Sequence, residues 1–264
     1  MEVISRIAGI ILPVFLIIAA GYVYARLRGE QVAEDMAGIS RVNVELLSPV
    51  LLFSALASRD FDLVANLPLI LAGILISLGS GLLAWPVARL LGYDPRTFVP
   101  PMIYNNCGNM GVPLIVLAFG ASALSEAVAM YVAGTLVYFT VGIWIIESGR
   151  KGPRLSMRRT LANPIIMSVL LGILFAAFRI PLPTMLLQAM RMLGEAAIPV
   201  MLIALGVRMV DVSFAHWRIG LVGAVVCPLS GLIVAWGVDQ LLVLSATQRG
   251  QMYLFAVLPP AVFS

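Results

Sequence analysis

The stretch "YNNCGNMGVP", Tyr104 to Pro113, places three side-chain amides, two glycines and a proline inside a long apolar run. Asn105, Asn106 and Asn109 each carry donors and acceptors without net charge. Pro113 has no backbone N–H, and its ring clashes with the carbonyl one turn back, that of Asn109. Gly108 and Gly111 relax the backbone between them. The spacing predicts a helix break over 105–112 with freed amide and carbonyl groups. The half-helix that resumes near Pro113 would direct the positive end of its dipole at that break. Such a set suits a carboxylate and needs no full positive charge. The plainer reading is that the asparagines join helices by hydrogen bonds.

The elements that must position these amides are membrane helices. The chain has 264 residues, 61% of them hydrophobic and 11% charged, with mean hydropathy +1.02. A soluble domain has about 45–50% apolar and about 25% charged residues. A spanning helix takes roughly 20 apolar residues. Nine segments qualify: 7–27, 40–58, 66–91, 97–119, 124–147, 161–180, 184–209, 217–243 and 249–264. Gly and Pro inside long apolar runs argue for helices over a barrel, whose strands are short and alternating. The first segment, preceded by Arg6, has the look of a signal peptide, but it has a partner later in the chain.

Charge sets the orientation. The densest basic group is "RKGPRLSMRR", Arg150 to Arg159. With that loop, 148–160, in the cytoplasm, Arg26, Arg28, Arg41, Arg89, Arg96, Arg208 and Arg218 fall on the same side. Arg6, Arg59, Arg179, Arg191 and Arg249 do not. The N-terminus is then outside the cell membrane. The net charge of +4 is a topology signal, not a nucleic-acid footprint, and anionic lipid headgroups are a second use of the basic loop. Cys107 and Cys227 lack metal or redox spacing and read as apolar packing. His216, beside Trp217, reads as an interfacial residue.

The chain repeats itself. Pro13 and Gly21 in "LPVFLIIAAGY" match Pro164 and Gly172 in "NPIIMSVLLGI". Arg41, Glu45 and Pro49 match Arg191, Glu195 and Pro199, in the same order and at the same offsets. Each Arg and Glu, four apart on a helix, can pair, and each proline is expected to kink its span. Span one thus corresponds to span six and span two to span seven. A unit of five spans is odd, so the second unit is inverted in the membrane, a construction common in secondary transporters. The domains are a first repeat over 1–147, the basic loop 148–160 and a second repeat over 161–264. Span four then corresponds to span nine, which carries Pro259 and Pro260. Paired broken helices are the sequence pointer to a transport site.

Several stretches carry a family resemblance: "FLIIAAGY", "SPVLLFSALA", "NNCGNMGVPL", "NPIIMSVLLGIL", "IPVMLIALGV" and "LPPAV". In this order and over nearly the whole chain they resemble the auxin efflux carrier family, which includes bacterial permeases for malate or malonate. The resemblance implies an all-α polytopic membrane protein of ten helices in two inverted five-helix repeats, like the bile-acid symporters. Helices four and nine would cross at their prolines. Spans one, two, six and seven would form a scaffold part and the remainder a moving part. An organic anion would be the substrate, with Asn106 at the position that contacts its carboxylate. Two departures stand out. The sequence stops at Ser264, inside span nine, so a fragment lacking the tenth helix is expected. The loop between spans five and six is short, which favours a bacterial-type permease.

Enzyme chemistry has no footing. The sole lysine, Lys151, follows no P-loop, no HExxH or GxSxG is present, and one histidine makes no triad. No cofactor or metal is expected. A channel lined by amides and a receptor that binds without transport are the rival functions. Coupling to protons or sodium stays open, because Asp94, Glu126, Glu147, Asp211 and Asp239 all fall near span ends. Gly73, Ser77 and Gly81 in span three read as a packing stripe. The partners are the anion and membrane lipid, and a homodimer is compatible with the sequence.

Overall fold

A computed structural model describes residues 2–29, 31–58, 61–148, 162–211 and 217–261. The basic loop Arg150–Arg159, His216 and Arg59 lie outside the described residues. In chain order the helices are α1 Glu2–Arg28, α2 Gln31–Val42, α3 Ser48–Leu56, α4 Leu63–Leu90, α5 Pro95–Ile103, α6 Val112–Phe119, α7 Leu124–Val137 and α8 Ile143–Glu147. After the basic loop come α9 Pro164–Ala177, α10 Thr184–Glu195, α11 Ala197–Arg208, α12 Trp217–Leu241 and α13 Ala246–Ala256. Wide π turns occupy Asn43–Leu47, Cys107–Gly111 and Tyr138–Gly142.

Among the described residues, six spans, Ala8–Arg28, Asp35–Leu56, Leu63–Leu90, Ala121–Glu147, Thr184–Arg208 and Trp217–Leu241, are long and apolar enough to cross a membrane. They answer to spans one, two, three, five, seven and eight of the sequence reading. Span four is split into α5 and α6, the helix of span six covers Pro164–Ala177, and that of span nine ends at Ala256.

Local chemistry sets the helix starts. Asp62 caps α4 by accepting from the N–H groups of Val64 (2.8 Å) and Ala65 (3.1 Å). Asp94 and Asn163 accept from Arg96 and Ile165, each with a proline at the first helical position. Ser245 and Gln248 form a reciprocal capping box at α13.

The chain divides into two compact units whose boundaries differ from those of the expected repeats. Unit 1 comprises Met1–Phe61, Gly108–Ser125 and Asn163–Ser213, and unit 2 comprises Asp62–Cys107, Glu126–Ala162 and Phe214–Ser264. Unit 1 therefore gathers spans one, two, six and seven with the second half of span four.

In unit 1, glycines let backbones touch, as membrane helices require in the absence of a hydrophobic drive between them. Gly21 on α1 lies against the backbone of Ile203 on α11, and Gly206 on α11 lies against Ile18 and Tyr22 on α1. Gly172 on α9 meets Leu56 on α3, where Phe53 and Phe175 also pack edge-to-face at 5.2 Å. Leu47 and Leu51 share a core with Ala197 and Met201, the residues that the Pro49–Pro199 offset makes their counterparts.

In unit 2, α4 is the hub. Gly73 faces Ala133 and Met130 on α7, Gly79 faces Val234 on α12, and Gly81 faces Ile103 and Val99 on α5. Gly231 on α12 abuts the Ala256 carbonyl at the end of α13. Phe98, Met102, Ile103, Val137, Ile145 and Cys227 fill the core between these helices.

Candidate functional site

The site begins where two helices stop inside unit 2. Helix α5 carries Pro100 and Pro101 and ends at Ile103, and Tyr104 is extended (φ −112°, ψ 93°). Helix α13 ends at Ala256, and Pro259 and Pro260 then forbid further helical donation. Backbone groups freed at membrane depth must find partners. Here the two breaks satisfy each other. Asn105 and Pro260 form an antiparallel bridge. The Asn106 N–H donates to the Pro259 carbonyl at 2.8 Å, and the Ala261 N–H donates to the Tyr104 carbonyl at 3.2 Å. The first half of span four and the end of span nine are thus joined like two short strands.

The three asparagines part company in this frame. Asn105 is 7% exposed, and its Nδ2 donates to the Phe255 carbonyl at 2.6 Å. Its Oδ1 is buried without a partner. Asn105 therefore does what the plainer reading assigned to all three: it joins two helices. Asn106 is 5% exposed, yet among the described residues its side-chain amide makes no hydrogen bond. Asn109 is half-buried in the π turn Cys107–Gly111 and belongs to unit 1, as do Gly108, Gly111 and Pro113.

The break is narrower than the expected 105–112. Helical geometry resumes at Cys107, whose N–H turns back to the Asn105 carbonyl (2.7 Å). The clash of Pro113 with the Asn109 carbonyl is met by widening one turn into a π segment, without unwinding it. Pro113 then sits buried in the first turn of α6.

Sequence reasoning missed a group of hydroxyls beside this crossover. The hydroxyls of Tyr104 and Tyr131 face each other next to Cys107. Thr135 faces both, although its buried Oγ1 makes no hydrogen bond of good geometry. The Tyr104 ring also packs on Tyr138, with centroids 5.0 Å apart. A Cβ at Gly134 would stand 3.5 Å from both Cys107 Sγ and the Phe255 ring and 3.8 Å from Ser77 Oγ. Tyr131 and Thr135, four apart in an apolar helix, were the available signal. Cys107 and Cys227 are both free thiols and both buried.

The repeat-related charges lie elsewhere, in unit 1. Arg41, Glu45 and Glu195 are exposed and Arg191 is half-buried. Among the described residues no ion pair joins Arg41 to Glu45. Each proline downstream has an irregular turn before it. The π turn Asn43–Leu47 precedes Pro49, and a break at Ala196 precedes Pro199. In both places the proline ring meets a carbonyl four residues back, that of Glu45 or Glu195.

A family profile described as "Membrane transport protein" matches residues 7–264. The chain belongs to this family. Within it, a relative from Methanothermobacter thermautotrophicus, named "Uncharacterized transporter", is 28% identical over 203 residues, 74% of this chain and 66% of that one. A relative from Rhizobium meliloti, named "Putative malonate transporter", is 27% identical over 220 residues, covering 77% and 67%. The chain spans about two thirds of the length of these relatives. Family membership and the six apolar spans make this member of the membrane transport family a multi-pass, all-α membrane protein.

Proposed function

We propose that this protein is a secondary carrier for a small organic anion, a carboxylate, which binds at Asn106 beside the crossover of spans four and nine and crosses by alternating access. The observation that carries the reading is the contrast at Asn106. Its backbone is pinned to Pro259 at 2.8 Å, while its side-chain amide has no hydrogen bond among the described residues. An amide donor that the fold leaves without a protein partner is open to a ligand oxygen that accepts from it. The amide donor suits a carboxylate oxygen, and the hydroxyls of Tyr104, Tyr131 and Thr135 add polar groups nearby. The relative named for malonate supports a small dicarboxylate as the first substrate to try.

The carrier reading includes two inverted repeats over 1–147 and 161–264, the N-terminus outside the cell membrane and the loop 148–160 in the cytoplasm.

Counterflow of radiolabelled malonate, malate and acetate in proteoliposomes tests the proposal. Saturable exchange of one acid, accelerated by the same acid on the far side, is expected. A flux that neither saturates nor shows counterflow would replace the carrier with a channel. Ligand binding without any flux would leave a receptor.

A further inference from the structure

Near one end of unit 2, four buried side-chain atoms have no hydrogen-bond partner: Asn66 Oδ1, Glu126 Oε2 and both amide atoms of Gln251. Gln251 is 0% exposed. The Asn66 Nδ2 is already committed to the Asp62 carbonyl at 2.9 Å, so only its oxygen remains.

Helix register brings Asn66 and Glu126 to one level and Gln251 to within about one turn of it. Gly73 on α4 meets Met130 and Ala133 on α7, and four residues further on Ser77 meets Gly134. The numbers rise together, so α4 and α7 run parallel. Two turns back from Gly73 is Asn66, and two turns back from Ala133 is Glu126. Helix α13 runs the same way: Gln248 Nε2 donates to the Ala65 carbonyl at 3.1 Å, and the Phe255 ring reaches Gly134 beside Ser77. Gln251 is one turn past Gln248 on the buried face, between those two contacts.

Three unpartnered oxygens, one of them a carboxylate oxygen, and a single unpartnered amide donor thus lie on three parallel helices within about one turn of each other. Oxygen donors of this kind favour a hard cation over a soft one. One carboxylate balances one positive charge, which selects a monovalent ion over calcium or magnesium. We infer that Asn66, Glu126 and Gln251 form a binding site for one small hard monovalent cation of the sodium class. As a binding site it stands on this geometry. As the site of a coupling ion it rests on the carrier reading above.

The test is equilibrium binding of radioactive sodium to the purified protein in detergent, with choline as the replacement cation. Saturable binding that unlabelled sodium displaces and choline does not is expected. Gln251→Leu and Glu126→Gln should each weaken it at least tenfold, with melting temperatures in choline close to wild type. Absence of saturable sodium binding to the wild type, or undiminished binding in these variants, overturns the site. If Gln251→Leu does not fold, Asn66→Leu and Glu126→Gln decide, and undiminished sodium affinity in both overturns it. Malonate counterflow is measured alongside in sodium and in choline. Exchange without sodium binding overturns the cation site and leaves the carrier standing. Sodium binding without exchange of any acid supports the site and removes the carrier reading.

Discussion

The Asn105 side chain donates to the Phe255 carbonyl at 2.6 Å, across 150 positions of the chain. Its neighbour Asn106 offers the same span only its backbone N–H, to Pro259. Two adjacent identical residues therefore take different tasks. One fastens the broken ends of spans four and nine together, and the other keeps its amide available.

This division separates their mutants. Asn105→Ala removes a buried hydrogen bond, while the Phe255 carbonyl keeps the Leu258 N–H at 3.3 Å, so the cost should be about 0.5–1.5 kcal/mol. Asn106→Ala removes no hydrogen bond, and its stability should stay within about 0.5 kcal/mol of wild type. Thermal denaturation in detergent compares the two.

Glycine contacts predict a second contrast. An alanine at Gly231 would overlap the Ala256 carbonyl, and one at Gly206 would overlap the Ile18 carbonyl. Both obstacles are backbone, so each substitution should cost about 1–3 kcal/mol or more. Gly9→Ala meets nothing within 4 Å and should gain about 0.5–1 kcal/mol from helix propensity. The melting temperatures of the three variants give the order.

A visible ion pair should matter little. Arg249 Nε lies 2.6 Å from Asp239 Oδ1, but the arginine side chain is 52% exposed. Asp239→Asn should change stability by less than about 1 kcal/mol, and added salt should shrink the difference further. Denaturation at low and high ionic strength checks this.

Pro113 bears on the π turn. Pro113→Ala restores an N–H and lets Cys107–Gly111 relax toward an ordinary helix, so stability should hold or rise. On the proposed carrier reading, exchange of the carboxylate should fall, because the turn that directly follows Asn106 would change its geometry. Paired measurements of melting and counterflow test both halves of the expectation.

Much of this was legible in the sequence because proline and glycine act locally. Pro49, Pro113, Pro199 and the Pro259–Pro260 pair each mark an irregular turn or helix end, since a missing N–H and a steric clash do not depend on distant partners. The stripe of Gly73, Ser77 and Gly81 read as packing, and it lies against Ala133, Gly134 and Ile103. What stayed hidden depends on long-range pairing. Nothing local distinguishes Asn105 from Asn106, because the difference is set by the position of the Phe255 carbonyl. Nothing local marks Gln251 as buried, and only the register of α4, α7 and α13 relates it to Asn66 and Glu126. The break fell short of its expected length because a π turn accommodates a proline that an α turn cannot.

The central claim is that the Asn106 amide binds a carboxylate. Equilibrium binding of radiolabelled malonate to purified wild type and Asn106→Ala tests it most directly. A hydrogen bond to a charged group is worth about 1.5–3 kcal/mol, so the variant should bind roughly 10- to 150-fold more weakly at unchanged melting temperature. Equal affinity in the two proteins would contradict the account.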